Sequence, residues 1–265
     1  MPLALGATNI DKVYLGSTEV TKAYLGSTLV FEAPAVGNPV FNISGLAFYY
    51  TTAEDTTVRA DNDPVALITD LRPSGSVSFS NTGTARPTWK TGGVNSKPYL
   101  FFDGIDDALN GSSAIFDSGD SPMTLFLLFR RTGTQSEISS IFTSNSGAGF
   151  GNTIAIFQAF ISGQELRAFM GGDLNLNDST SRWVGGKVLY SLRYTLAQTL
   201  AQSWGLVNSS ASRSTSGLDL GATSSRIAPT GNTFELYSVI GFTRNLTDPE
   251  VASVRVYLET LYGDF

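Results

Sequence analysis

Apolar and polar positions alternate in short runs along most of this chain, and only the last stretch changes to a helical period. Residues 188–194 set Val188, Tyr190, Leu192 and Tyr194 against Leu189, Ser191 and Arg193, the period of two of a half-buried strand. Residues 123–129 form the most apolar run, bounded by Pro122 and by Arg130-Arg131. Further strand-like runs occupy 45–50, 65–71, 77–79, 99–102, 138–143, 153–161, 166–170, 202–207 and 234–242, with turn signals such as Gly92-Gly93 and Asn110-Gly111 between them. One segment has the pattern of a helix. Thr247-Asp248-Pro249-Glu250 has the spacing of a capping box, and Val251, Val254, Leu258 and Leu261 then form an i, i+3, i+7, i+10 stripe that Gly263 closes. Many short strands and one terminal helix predict an all-β, two-sheet sandwich, whose strand order the spacing does not fix.

Ahead of this domain the pattern repeats itself. Lys12, Tyr14-Leu15-Gly16-Ser17-Thr18 and Val20 recur ten residues later as Lys22, Tyr24-Leu25-Gly26-Ser27-Thr28 and Val30. Each copy joins a β-type run to a Gly-Ser reversal, which predicts three short strands divided at 15–18 and 25–28. Alternation puts Ile10, Lys12 and Tyr14 on one face and Asp11, Val13 and Leu15 on the other, so both faces are partly apolar. Two units are too few to bury a core, since stacked repeats need about three. The segment is therefore expected to dock on its own domain, on copies of itself or on another protein. Lys12, Tyr14, Leu15, Lys22, Tyr24 and Leu25 are the candidate attachment or oligomerisation residues. Pro34, Gly37 and Pro39 lie in an aperiodic stretch that reads as a linker. The expected division is 1–33 for the β-repeat, 34–40 for the linker and 41–265 for the sandwich.

Composition narrows the chemistry. The 265 residues hold 42% hydrophobic but only 15% charged side chains, so Ser, Thr, Asn and Gly must supply the polar surface. The net charge is −6 and Arg130-Arg131 is the only pair of adjacent cations, which argues against nucleic acid and anionic membranes as partners. No apolar run approaches the ~18 residues of a membrane span, and the start lacks the pattern of a signal peptide. With no Cys and no His, thiolate or imidazole metal sites and Ser-His or Cys-His nucleophile pairs are excluded. Any metal must be a hard cation held by oxygens, which points to Ca²⁺.

Several motifs resemble the concanavalin A-like (laminin-G-like) jelly rolls of bacterial surface and phage proteins. They are the opening strand Leu46-Ala47-Phe48-Tyr49-Tyr50, Ala85-Arg86-Pro87-Thr88-Trp89, Phe102-Asp103-Gly104-Ile105-Asp106-Asp107-Ala108-Leu109, and Leu246-Thr247-Asp248-Pro249-Glu250 before the helix. Thr69-Asp70-Leu71-Arg72-Pro73-Ser74-Gly75 fits a further element loosely, without its Trp. The resemblance covers about 41–265 and implies a concanavalin A-like jelly roll, a fold that hosts lectins, enzymes and structural modules. The repeat independently resembles a phrase near the termini of tailed-bacteriophage structural proteins. Together the two imply a virion protein on the particle surface, in capsid or tail.

Glucanases that share this fold carry Glu-x-Asp-x-(x)-Glu on one strand, and no such spacing occurs here. Glu54-Asp55 falls in a loop and Asp248/Glu250 in a helix cap. A non-enzymatic protein is therefore expected. Asp103, Asp106 and Asp107, with Asp117 and Asp120 nearby, either cap a tight turn or hold Ca²⁺. A carbohydrate site needs an aromatic platform and planar polar groups. Trp183, with Arg182, Asn175 and Asn177 in a polar loop before it, is the candidate, while Trp89 and Trp204 are alternatively core. The expectation is a non-enzymatic virion protein, a homo-oligomer (trimer) mounted on other virion proteins through 1–33. Its lectin-like domain would recognise host-surface polysaccharide, or else serve a purely structural role.

Overall fold

The computed structural model describes backbone and side chains over 37–113, 115–116, 122–132, 141–144, 188–195, 225–227 and 233–264, together with Leu200 and Gln202. Elsewhere it describes the strands named below as backbone. The chain divides into two units, Met1–Asn42 and Ile43–Phe265.

Among its described residues the first unit holds three antiparallel strand pairs. Strands β1 (Ala4–Leu5) and β2 (Thr8–Asn9) form one, β3 (Val13–Leu15) and β4 (Thr18–Val20) the second, β5 (Lys22–Leu25) and β6 (Thr28–Glu32) the third. Leu15 pairs with Thr18 and Leu25 with Thr28, so each copy of the repeated phrase folds back on itself. The sequence led us to expect three single strands. The middle one is instead divided between β4 and β5, because the ten-residue period spans a whole strand pair. Tyr14 and Leu15 lie on β3, and Lys22, Tyr24 and Leu25 on β5. Lys12 lies outside the described residues.

In the second unit, β7 (Leu46–Thr51), β8 (Leu67–Thr69), β9 (Ser78–Ser80), β10 (Thr88–Lys90), β11 (Tyr99–Asp103) and β12 (Leu109–Gly111) come first. Then come β13 (Met123–Arg131), β14 (Ser139–Ser144), β15 (Ile154–Ala159), β16 (Glu165–Met170) and β17 (Asp173–Leu176). They are followed by β18 (Lys187–Tyr194), β19 (Gln198–Gly205), β20 (Ser209–Ser214), β21 (Ser225–Ile227), β22 (Thr233–Phe242) and the helix α1 (Asp248–Tyr262). One sheet runs β10-β11-β22-β13-β18-β19-β20, and β7 shares an edge of β22 with β11; the other runs β17-β16-β15-β14-β21-β12-β9-β8. All pairings are antiparallel, and the unit is the expected all-β sandwich with one C-terminal helix.

Alternation decides what each face buries. Leu125, Leu127 and Phe129 of β13, Val188, Tyr190 and Leu192 of β18, and Phe48 and Tyr50 of β7 point between the sheets. There they meet Phe79, Leu109, Phe142 and Ile227 from the second sheet. Trp89 joins this cluster, so it is core. The opposite residues of the first sheet, Tyr49, Phe126, Leu128, Leu189, Ile240 and Phe242, are equally buried, because α1 covers that face. Val251, Val254 and Leu258 supply the helix's apolar stripe, and its last buried member is Tyr262, with Leu261 half-buried. Tyr262 replaces the expected Leu261 because its hydroxyl reaches the sheet: it bonds the Thr51 hydroxyl, accepts from Ala53 N–H at 3.0 Å and donates to Tyr237 O at 3.0 Å.

Tyr237 is the extra residue of a β-bulge in β22, since Leu128 pairs with Ser238 and Phe129 with Leu236. The bulge turns Tyr237 onto the helix-covered face, where its ring packs edge-on to Tyr262 at 5.4 Å. At the helix start the Thr247 N–H and hydroxyl both donate to Glu250 Oε2 at 2.9 Å. No helix among the described residues is long and apolar enough to cross a membrane.

Candidate functional site

Three groups of carboxylates can be followed atom by atom. Two are hydrogen-bonded networks, one around Glu54 and Asp55 and one around Glu235. Glu54 accepts from the Tyr49 hydroxyl at 2.7 Å and from the Tyr257 hydroxyl, and Asp55 accepts from Tyr50 at 3.0 Å and pairs with Arg59 at 2.6 Å. Glu235 receives both arms of Arg130, at 2.5 and 2.7 Å, and the Tyr237 hydroxyl. Burial, and then the Glu235 hydrogen bond, push the Tyr237 phenol well up, so it is no nucleophile. These groups anchor the 51–59 loop and the helix to the sheet, which is why the acidic pair Glu54-Asp55 is not available for chemistry.

The third group lies in the turn from β11 to β12. Phe102 and Leu109 are core residues on either side of it, which fixes the ends of the loop. Gly104 at φ 79° makes the reversal, a conformation open to glycine without strain. Asp103 Oδ1 accepts the Ile105 N–H at 2.8 Å, Asp107 Oδ2 accepts the Asp103 N–H at 2.8 Å, and the Thr84 hydroxyl donates to Asp106 Oδ2 at 3.0 Å. One oxygen from each carboxylate lies within 4.8 Å of those of the other two. Asp106 is exposed, Asp103 half-buried and Asp107 only 6% exposed. Burial first, and the charges of Asp103 and Asp106 with it, raise the Asp107 carboxyl from 3.8 to about 6.

The turn therefore combines a carboxyl raised to about 6 with two more carboxylates in reach, the pairing that acid–base catalysis uses. It also tests Ca²⁺. Each carboxylate spends one oxygen on the loop and keeps one, so the cluster has the right kind of donor but supplies only part of the six to eight oxygens Ca²⁺ takes.

The expected carbohydrate residues separate. Asn175 lies on β17, paired with Arg167, where a loop was expected. The run Asp173-Leu174-Asn175-Leu176 alternates polar and apolar side chains, and pairing with β16 draws it into the sheet. Asn177, Arg182 and Trp183 lie outside the described residues, as do Asp117 and Asp120. The structure adds residues that the sequence did not single out. Asn110 pairs with Arg226, and Arg226 with Thr143, across three adjacent strands of the second sheet. Their neighbours Leu109, Ile227 and Phe142 point inward to the core, so this row faces outward.

No protein-family model matches the chain, and no curated protein matches it in sequence. Solved structures do match in fold. A GH54 α-L-arabinofuranosidase aligns with TM-score 0.56 and 10% identity over 75% of this chain and 51% of its own. Trypanosoma rangeli sialidase aligns with TM-score 0.56 and 12% identity over 91% and 36%. The enzymatically active domain of bacteriophage CBA120 tailspike protein 2 aligns with TM-score 0.51 and 11% identity over 79% and 33%. The chain thus spans half to three-fifths of the arabinofuranosidase chains and about a third of the other two.

At such identity the likeness establishes the fold. It also corrects the expectation of a non-enzymatic virion protein with a lectin-like or purely structural role. The matching folds belong to glycosidases and to a tailspike domain described as enzymatically active. The expectation rested on the missing one-strand carboxylate signature, and the turn between β11 and β12 shows that reversing the chain can gather three carboxylates without it.

Proposed function

We propose that the chain is a glycan-processing domain carried on a phage tail, acting on host-surface polysaccharide with the Asp103–Asp107 turn as its reacting centre. The observation that carries this reading is the gathering of the Asp103, Asp106 and Asp107 carboxylates within 4.8 Å of one another, with Asp107 raised to about 6, on a fold shared with glycosidases. Asp106, the exposed member, meets the sugar; Asp107 supplies the proton; Asp103 holds the turn through its bond to Ile105 N–H. A separation under 5 Å sits nearest the ~5–5.5 Å of retaining enzymes, well short of the ~6.5–9.5 Å of inverting ones. Hydrolysis with retention at the anomeric carbon is the expected outcome.

The N-terminal unit is the mount. None of its described strands pairs outside its own two-stranded sheet, and isolated pairs of strands are marginal in water. Other virion proteins, or the same segment in two further copies of a trimer, would complete them, with 1–33 as the contacting segment. The tailspike neighbour supports a tail location.

The test is release of reducing ends from a panel of bacterial surface polysaccharides by the full chain. Activity on one of them, lost about a hundredfold or more in Asp106→Asn at an unchanged melting temperature, supports the reading. Silence across the panel, with and without Ca²⁺, removes it.

A further inference from the structure

Strand β11 carries aromatic side chains on its outward face and leads directly into the aspartate turn. Burial alternates along it: Leu100 and Phe102 enter the core, while Tyr99, Phe101 and Asp103 are half-buried on the opposite side. Tyr99 stands beside Tyr237, ring centres 5.7 Å apart, where the end of α1 packs. Phe101 lies one step further along. Its direct cross-strand partners are Thr88 of β10 and Glu235 of β22, both polar, and Lys90 Nζ stands 5.9 Å from its ring centre. Two residues on, Asp103 begins the turn that gathers the three carboxylates. Past it, Ile105 is 77% exposed, a further apolar group at the turn itself.

An aromatic ring on a sheet gains most from an aromatic or aliphatic partner directly across the ladder, and Phe101 has polar ones. Its ring is bordered by polar groups already fixed in place. Arg130 holds both oxygens of Glu235, and Lys90 gives Asn62 Oδ1 one donor of the three an ammonium has. A sugar ring needs this combination, because its axial C–H bonds form an apolar face and its hydroxyls leave from the rim. From Tyr99 to Asp103 the strand rises about 13 Å, which suits a short oligosaccharide better than one sugar. The charges favour a neutral one. Arg130 is spent on Glu235, and Asp61, which accepts the Thr91 N–H at 2.8 Å, joins Asp103 and Asp106 in outweighing Lys90. An acidic sugar would meet like charge at the turn.

We infer that the outward face of β11 is a sugar track, with Tyr99 and Phe101 as stacking platforms that lead a neutral oligosaccharide to the Asp103–Asp107 turn. The inference rests on the glycan-processing reading and deepens it, naming neutral polysaccharides as the substrate class and Phe101 as the residue that positions them. Phe101 holds the chain and takes no part in the bond change, so its loss should raise KM more than it lowers kcat.

Calorimetric titration of the full chain with cellotetraose, xylotetraose, maltotetraose and tetragalacturonate tests it. At least one neutral tetrasaccharide is expected to bind, and more tightly than tetragalacturonate. Phe101→Ala should weaken that binding about tenfold or more, and Phe101→Trp should keep it. The Trp variant carries the test alone should Phe101→Ala fail to fold: its added indole should change emission on binding, relative to wild type under the same ligand. Silence with all four sugars, tetragalacturonate binding as tightly as the neutral ones, or an affinity indifferent to Phe101→Ala with no added emission change in Phe101→Trp would overturn the inference. A chain that binds neutral sugars through Phe101 yet releases no reducing ends leaves this inference standing and removes the enzymatic one. Cleavage of a polysaccharide with a KM that ignores Phe101 does the reverse.

Discussion

Replacing Asp107 by Asn should make the protein more stable at neutral pH, an unusual outcome for a 6% exposed residue. The Asp107 carboxyl is raised from 3.8 to about 6 in the folded chain, chiefly by burial and then by Asp103 and Asp106. A group whose folded value lies above its unfolded one contributes stability that is complete below the unfolded value and lost as pH climbs through the folded one. Here the window runs from 3.8 to about 6. At about 1.4 kcal/mol for each pH unit, the loss across it is about 3 kcal/mol, a burden the wild type carries above pH 7.

Asparagine reproduces the protonated acid. Its Oδ1 can still accept the Asp103 N–H, now bonded to Asp107 Oδ2 at 2.8 Å, and its amide can donate toward the Asp103 carboxylate. Urea unfolding of both proteins from about pH 4 to pH 8 measures the difference. The two should match near pH 4, and Asp107→Asn should lead by about 2–3 kcal/mol near pH 7.5. Glu250, held down to about 2 by Arg244 and the Thr247 N–H, titrates below this window and is common to both proteins. A gap that does not change with pH, or an Asn variant less stable at pH 7.5, refutes the reasoning. If the turn is also the reacting centre, the stabilised variant should lose its activity, the usual conflict between a strained site and a stable one.

Tyr262→Phe should cost about 1–3 kcal/mol by urea unfolding, because Ala53 N–H and Tyr237 O each lose a partner in a buried site. Glu250→Ala removes the capping bonds to Thr247 and the ion pair with Arg244 at 2.5 Å, and about 1 kcal/mol of stability should go with them. Deleting 1–33 should turn an oligomer into a monomer by light scattering while the sandwich keeps its melting temperature; a full chain that is already monomeric counts against the mount.

What the sequence made legible was whatever chemistry acts over a few residues. The capping box at Thr247–Glu250 and the apolar runs of β13, β18 and β22 are local, and the structure puts helix and strands there. Asn110-Gly111 shows how a local signal misleads. It has the residues of a reverse turn, yet both lie in β12, where Asn110 pairs with Ser80 and Arg226. Glycine is needed at 111 for another reason: a Cβ there would stand 2.8 Å from the Ser225 carbonyl. Strand β20, Ser-Ser-Ala-Ser-Arg-Ser, carries no apolar period at all and is held as an edge by its ladder to β19.

The same distinction separates the aspartate turn from the outward face of the second sheet. The aspartates of the β11–β12 turn stand within five residues of one another, so their cluster was visible even though its role was not. The row through Arg226 joins residues 67, 80, 110, 143 and 226, and no window of sequence contains them. Loop closure over such separations is settled by the whole sandwich core. A face assembled that way leaves its trace only in the finished ladder.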